Sequence, residues 1–249
     1  MELLGIDIGG SGIKGAVVNT RTGQLIGERY RIPTPKPADP EAVCAAIQLV
    51  ISHFNWKGAV GCGFPTPLKQ GKCLTEGNLH KSWKGVAVDA LFTHRIGNKF
   101  TVINDADAAG IAESCFGAGK GQKGVVLIVT IGTGIGSSIF LDGKLLPNTE
   151  LGHLLNKNGE IFENYASDGT RKRKDLPKKE WGKRLNKYFA HLQLILDPEL
   201  IIVGGGASKK FDKLSEHFRI DTPIVAAKTQ NEAGIIGAAM AASFSLACP

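Results

Sequence analysis

No uninterrupted apolar run in this 249-residue chain reaches the ~20 residues that a membrane-spanning helix needs. Cysteine is scarce and scattered. The five residues Cys44, Cys62, Cys73, Cys115 and Cys248 form no CxxC pair. That odd, unclustered set signals neither a disulfide framework nor a zinc site, and a reducing cytoplasm is the natural compartment. No collagen-like period accompanies the 32 glycines, so they read as tight turns. No secretory leader is expected either, because the first apolar strand begins almost at Met1. Apolar residues make up 43% of the chain, which allows a sizeable core and excludes a disordered chain.

The charge is unevenly placed. The formal net charge is +7, and residues 171–187 (RKRKDLPKKEWGKRLNK) hold nine cations and two anions. That segment alone therefore nets +7, and the rest of the chain sums to zero.

The most informative stretch is Gly5 to Gly15, GIDIGGSGIKG. An apolar strand ends in Asp7 and breaks into glycines, which let backbone N–H groups converge on a phosphate and let it approach closely. Gly9 and Gly10 offer backbone donors, Ser11 a hydroxyl and Lys14 a cation. Asp7 is placed to hold Mg²⁺ through water. The pattern returns at Val125 to Phe140, where the turn is Gly132-Thr133-Gly134-Ile135-Gly136, and a third Gly-rich turn, Gly204-Gly205-Gly206, follows Leu200 to Val203. Glycine supplying positive φ in unrelated turns explains each alone. The recurrence after apolar strands points to two related halves, each with a phosphate-gripping hairpin.

Around these turns the elements alternate. Leu3 to Glu28 reads as a β-meander, and Asp39-Pro40-Glu41 starts a helix with Asp39 as N-cap and Pro40 at N1. Ala59 to Phe64 and Phe100 to Ile103 read as strands, and Ala106 to Cys115 as a small-residue helix. Arg171 to Lys174 reads as a loop cluster. Pro177 to Leu196 is a helix whose apolar stripe is Trp181, Leu185, Tyr188, Phe189, Leu192, Ile195 and Leu196. Glu232 to Leu246 closes the chain as a Gly/Ala-rich helix suited to close packing. This is a mixed α/β pattern with a repeated core. The expected division is residues 1–107 plus 232–249 as a small lobe and 108–231 as a large lobe, with a central cleft.

Asp105 is the candidate general base. It follows a buried strand, and a carboxylate at a strand end can orient an attacking hydroxyl and accept its proton. The competing reading is a helix N-cap, a role open to Asn104 or Asp107 as well.

The order Asp7-Ile-Gly-Gly-Ser-Gly-Ile-Lys14, Asn104-Asp105-Ala106-Asp107, Ile131-Gly-Thr-Gly-Ile-Gly136, Glu150-Leu-Gly-His153 and Val203-Gly-Gly-Gly206 resembles the ROK group of sugar kinases. The resemblance runs from about residue 3 to 242 and implies the actin-like, ribonuclease-H-like ATPase fold. Many members carry a zinc-binding cysteine cluster after the Glu-x-Gly-His element. Here Leu154 to Phe162 has no cysteine, so no zinc site is expected at His153. With the basic segment, Trp83, Trp181 and Ser208-Lys209-Lys210, this is similar to the zinc-less branch, the polyphosphate glucokinases.

The resemblance implies sugar-hydroxyl contacts from Thr66, Asn78, Asn104, Asp105, Glu150, His153 and Glu163. It implies phosphate contacts from Lys14, Thr133 and the glycines of the turns, with Gly204 to Gly206 bordering a nucleotide base in an ATP-using relative. A basic track can hold a polyanion by releasing its counterions. Arg171, Lys172, Arg173, Lys174, Lys179 and Lys183 are the candidate polyphosphate track. The alternative for the track is a solvated helix face.

The implied activity is transfer of a phosphoryl group from inorganic polyphosphate, with ATP as a second candidate donor, to the 6-hydroxyl of glucose, with Mg²⁺. The alternative is an ATP-dependent hexokinase of the same family. A homodimer is the expected assembly. A DNA-binding repressor is disfavoured because no helix-turn-helix segment precedes Gly5. RNA binding is disfavoured because the basic segment lacks interleaved aromatics. No nucleic-acid or membrane partner is expected.

Overall fold

The computed structural model describes residues 1–75 and 79–247. The chain forms two compact units, Met1–Ala112 with Glu232–Pro249, and Glu113–Asn231.

In the first unit the meander becomes β1 (Glu2–Gly9), β2 (Gly12–Asn19) and β3 (Leu25–Ile32). It is followed by α1 (Pro40–His53), β4 (Val60–Phe64), a small hairpin of β5 (Leu68–Lys69) and β6 (Lys72–Cys73), α2 (Val88–Ile96) and β7 (Phe100–Asn104). Helix α3 (Asp105–Phe116) leaves this unit, and α8 (Ala233–Ala247) returns to it. The sheet order is β3-β2-β1-β4-β7, with β1 and β2 antiparallel and β1, β4 and β7 parallel.

Alternation along β1 decides what each face meets. Leu4, Ile6 and Ile8 are fully buried in a core shared with Val43, Ile47 and Val50 of α1 and with Trp83 and Phe92. The expected Asp39 cap is present: its carboxylate accepts the Ala42 N–H at 2.9 Å. The other face packs on α8. The approach is so close that a Cβ built on Gly61 would lie 1.8 Å from the Ala238 carbonyl oxygen, so only glycine fits there.

The second unit repeats the plan. Its strands are β8 (Val125–Ile131), β9 (Ile135–Leu141), β10 (Lys144–Leu146), β11 (Leu200–Gly204) and β12 (Ile224–Ala226), ordered β10-β9-β8-β11-β12. Again an antiparallel hairpin is extended by parallel strands. Its helices are α4 (Phe162–Ala166), α5 (Asp168–Arg173), α6 (Lys178–Leu196) and α7 (Phe211–Ser215). Trp181, Leu185, Tyr188, Phe189 and Leu192 of α6 are fully buried against Leu127, Val129, Ile201 and Val203. Each such burial contributes about 1.5–3 kcal/mol relative to exposure.

Two local expectations change. Ile195 is 51% exposed, because the stripe continues to Leu196 and position 195 turns to its edge. The Arg171 to Lys174 cluster is the end of α5 instead of a loop, since Ser167 caps that helix by accepting the Thr170 N–H. Among the described residues no helix is long and apolar enough to cross a membrane, and Cys44, Cys62, Cys73 and Cys115 are free thiols.

Candidate active site

The first unit carries one set of candidate groups along one sheet edge. Asp7 on β1, Gly63 on β4 and Ile103 on β7 share a register line. Asp7 and Asp105 therefore lie toward the C-terminal ends of parallel strands, where α/β sheets place their ligands. Across β1, β2 and β3, Asp7 is opposite Lys14 and Lys14 is opposite Arg31. The Lys14 ammonium reaches Asp7 Oδ2 at 3.1 Å, so much of its charge is offset within the protein. Arg31 supports the Gly10-Ser11 turn, donating from Nη2 to the Ser11 carbonyl at 2.8 Å. Sequence reading missed Arg31, because an unbroken hairpin register continued from Val17–Ile26 would put Arg29 opposite Lys14, and the irregularity between Gly15 and Val17 shifts the pairing to Arg31.

A carboxylate placed as Asp7 is could hold a hard cation such as magnesium through water. It is a single carboxylate already paired with lysine. Among the described residues no group of three or more His, Cys, Asp or Glu side chains gathers to hold a metal.

The N-cap question at Asn104-Asp105 has a definite answer. Asn104 is 5% exposed, and its Oδ1 accepts the N–H groups of Ala106 at 2.9 Å and Asp107 at 3.2 Å. Asn104 thus caps α3, and its Nδ2 amide has a different direction in which to donate. Asp105, half-buried at the first position of α3, is not needed as the cap.

Thr66 is 2% exposed, with its hydroxyl 3.0 Å from the Cys73 thiol, a contact that ties the start of the β5–β6 hairpin to β6. Asn78 lies outside the described residues.

The second unit carries the other set. The hairpin turn closes with Gly132 N–H donating to the Gly134 carbonyl at 2.9 Å. Glu163 on α4 accepts the Ile135 N–H at 2.7 Å. A Cβ on Gly134 would come 2.3 Å from Glu163 Oε2, so the glycine makes room for the carboxylate. Glu150 and His153 stand beside it, with His153 Nδ1 3.8 Å from Glu150 Oε2. Burial pushes the Glu150 carboxyl up; His153 works against this and the Glu163 charge adds to it. Glu150, His153 and Glu163 are therefore neighbours in space, next to the 132–136 turn. Tyr188 is fully buried near the two carboxylates, and burial raises its phenol far above the usual range.

Further along the same unit, Gly169 donates its N–H to the Gly132 carbonyl at 3.0 Å. This seats the start of α5 on the hairpin turn. Asp168 is buried and ion-paired with Arg171 (2.6 Å), Lys172 (3.0 Å) and Lys210 (3.5 Å). Burial alone would raise its carboxyl, but the bonds from Arg171 and Lys172 and the Lys210 charge outweigh burial and hold it below the usual range. Gly204 ends β11, and Gly205 to Lys210 forms a short 3-10 turn. Of the expected track, Lys174 lies 3.7 Å from Glu160 and Arg173 bonds the Thr170 hydroxyl at 2.8 Å. Lys179 and Lys183 are exposed on α6.

Comparison with known proteins fits this geometry. The chain is 44% identical over 238 residues to the polyphosphate glucokinase of Mycobacterium tuberculosis, covering 95% of this chain and 89% of that protein. It is 42% identical over 240 residues to the Mycobacterium leprae polyphosphate glucokinase, covering 96% and 74%. The crystal structure of the inorganic polyphosphate/ATP-glucomannokinase of Arthrobacter sp. strain KM superposes with a TM-score of 0.94 at 47% identity, covering 98% of this chain and 99% of that one. Residues 3–163 match the ROK family, and with these relatives spanning nearly the whole chain, the protein belongs to the ROK family.

Proposed function

We propose that this chain is a kinase that phosphorylates the 6-hydroxyl of glucose from inorganic polyphosphate. The observation that carries the chemistry is the placement of Asp105 at the end of β7, at the first position of α3, beside the Asn104 that caps that helix, where a carboxylate can take the proton of an attacking hydroxyl. The named relatives carry the donor and the sugar.

In the reaction the 6-oxygen attacks the terminal phosphorus of the donor. The bond to the bridging oxygen breaks, and the polyphosphate leaves one phosphate shorter with that electron pair. The proton of the 6-hydroxyl passes to Asp105. Glu150, His153, Glu163 and the Asn104 amide pair with the other hydroxyls, since carboxylates and amides suit vicinal donors and acceptors. The N–H groups of the Gly9-Gly10 and Gly132–Gly134 turns, with Ser11, Lys14 and Thr133, take phosphate oxygens. Asp7 would hold an Mg²⁺ that comes with the donor, through water, and the ion would neutralise charge on those oxygens.

ATP is a second donor in this reading, because the superposable Arthrobacter enzyme is described as using polyphosphate or ATP. The same description extends the proposed sugars to mannose. Free thiols fit a cytoplasmic enzyme, and the family likeness makes a homodimer the expected assembly.

The test is glucose-6-phosphate formation with Mg²⁺, supplying long-chain polyphosphate or ATP at matched phosphoryl concentration, at low and high salt. Faster turnover with polyphosphate, weakened by salt, supports the reading. Turnover with ATP alone reduces the chain to an ATP hexokinase, and turnover with neither rejects the sugar assignment.

A further inference from the structure

Two cations of the basic segment, Arg171 and Lys172, and Lys210 beyond it are gathered by one carboxylate. Asp168 is 7% exposed at its side chain and receives Arg171 Nε at 2.6 Å on Oδ1, with Lys210 Nζ 3.5 Å from the same oxygen. Lys172 Nζ is 3.0 Å from Oδ2. Arg171 and Lys210 also lie over Trp181, with Cζ and Nζ 5.3 Å and 5.5 Å from its ring centroid. Trp181 is fully buried and anchored by its Nε1–H to the Ala166 carbonyl at 2.7 Å. Arg171 and Lys210 are thus each fixed from two sides, and the cluster keeps a surplus of two positive charges.

The place of the cluster matters. Its carboxylate approaches Gly206, on which a Cβ would be 4.0 Å from Asp168 Oδ2, and the start of α5 bonds the Gly132 turn. The surplus charge therefore stands beside both Gly-rich turns of this unit. Arg184 and Lys187 on α6, by contrast, are committed to Tyr165: Arg184 Nη1 donates to its carbonyl at 3.1 Å and Lys187 Nζ reaches its hydroxyl at 3.2 Å.

We propose that Asp168 is a positioning residue for the phosphoryl donor, holding Arg171 and Lys210 in place, and that Lys210 itself contacts the polyphosphate chain. The proposal rests on polyphosphate being a donor of this enzyme. A chain of closely spaced phosphates is recognised by cations at set positions, and a held cation loses less freedom on binding than a solvated lysine. Net charge and position predict opposite results when the carboxylate is neutralised. Asp168→Asn makes the cluster more positive, so polyphosphate use improves if charge alone counts and worsens if position counts.

The experiment measures kcat/KM for long-chain polyphosphate against salt, with glucose affinity by calorimetry, in the wild type, Asp168→Asn, Asp168→Glu and Lys210→Ala. Lys144→Ala, the same charge loss on β10, is the control. Asp168→Asn is expected to lower kcat/KM for polyphosphate by about tenfold or more and to leave glucose affinity unchanged, with Asp168→Glu recovering part of the loss. Lys210→Ala is expected to make the log–log salt dependence shallower by about one unit, and Lys144→Ala to leave it as it is. Unchanged or improved polyphosphate use in Asp168→Asn overturns the positioning role, as does loss of glucose affinity in step with it. If Asp168→Asn fails to fold, an unaltered salt dependence in Lys210→Ala overturns the proposal by itself. A wild type that makes product only from ATP overturns both this proposal and the donor reading, whereas a polyphosphate-using wild type with indifferent variants overturns this proposal alone.

Discussion

The Glu163 carboxylate accepts the Ile135 N–H at 2.7 Å, so a proposed sugar ligand and a Gly-rich phosphate turn share one hydrogen bond. Adding a methyl group at Gly134 drives Cβ into Glu163 Oε2 and must move either the turn or the carboxylate. Gly134→Ala is expected to raise the KM for glucose and to lower kcat as well, because both partners of the bond shift. Glu163→Gln keeps the shape but weakens a charge-assisted bond, normally about twice as strong as a neutral one, and is expected to raise mainly the KM. Steady-state kinetics with glucose varied separate the two patterns. Equal effects on KM from both variants, with kcat untouched, rule out the coupling.

Asp105→Asn removes the proton acceptor and keeps the Asn104 cap. Turnover is expected to fall by about 10²–10⁴, the usual contribution of general base catalysis, while calorimetry still records glucose binding. Turnover near that of the wild type removes Asp105 from the role. Asn104→Ala differs in kind, since loss of the cap costs about 1 kcal/mol of stability. A fall in melting temperature is expected there, read by thermal denaturation.

Gly61→Ala tests the packing of α8 on the first sheet. The new Cβ meets a backbone carbonyl at 1.8 Å, and backbone cannot rotate aside as a side chain can. A loss of roughly 1–3 kcal/mol in unfolding free energy is expected, read by urea denaturation. An unchanged midpoint would mean that the helix does not sit this close.

Glu150 carries a pH dependence. Burial raises its carboxyl above the usual range, His153 opposes this and Glu163 adds to it. A carboxyl raised in the folded state binds its proton more tightly there, so its contribution favours folding at pH below its unfolded value. That contribution is lost as pH rises through the folded value. Glu150→Gln removes the cost of the buried charge. It is expected to raise the melting temperature at pH 8 while leaving it little changed at pH 4, and to weaken glucose binding at pH 8, where the carboxylate is charged in the wild type. A lower melting temperature at pH 8 than the wild type contradicts this.

Much of the frame was readable in residue order. Asp39-Pro40 announced α1, and the Gly-rich breaks after apolar strands announced both hairpins, because cap and turn preferences act over a few residues. The Trp181, Leu185, Tyr188, Phe189 and Leu192 stripe announced the buried face of α6. Less was readable where a side chain had alternatives. Residue order did not show that the Thr66 hydroxyl lies against the Cys73 thiol, and Ile195 sat at the edge of a stripe that its spacing admitted. Lys210 escaped notice as a partner of Asp168 because 42 residues separate the two in the chain and only the return of β11 brings them together.

The sequence by itself determined the strand–turn–strand repeats, the candidate base at a strand end and a charge excess confined to one segment. These are local properties, set by backbone freedom at glycine, by side-chain periodicity and by composition. Only the tertiary structure decided which cations are held and which are solvated, which of Asn104 and Asp105 takes the helix cap, and that Glu163 reaches the 132–136 turn. The Lys210 and Glu163 contacts join residues far apart in the chain, the Asn104 cap is a local choice between neighbouring side chains that spacing leaves open, and in each case a polar group takes whichever partners the packed helices and strands bring within hydrogen-bond reach.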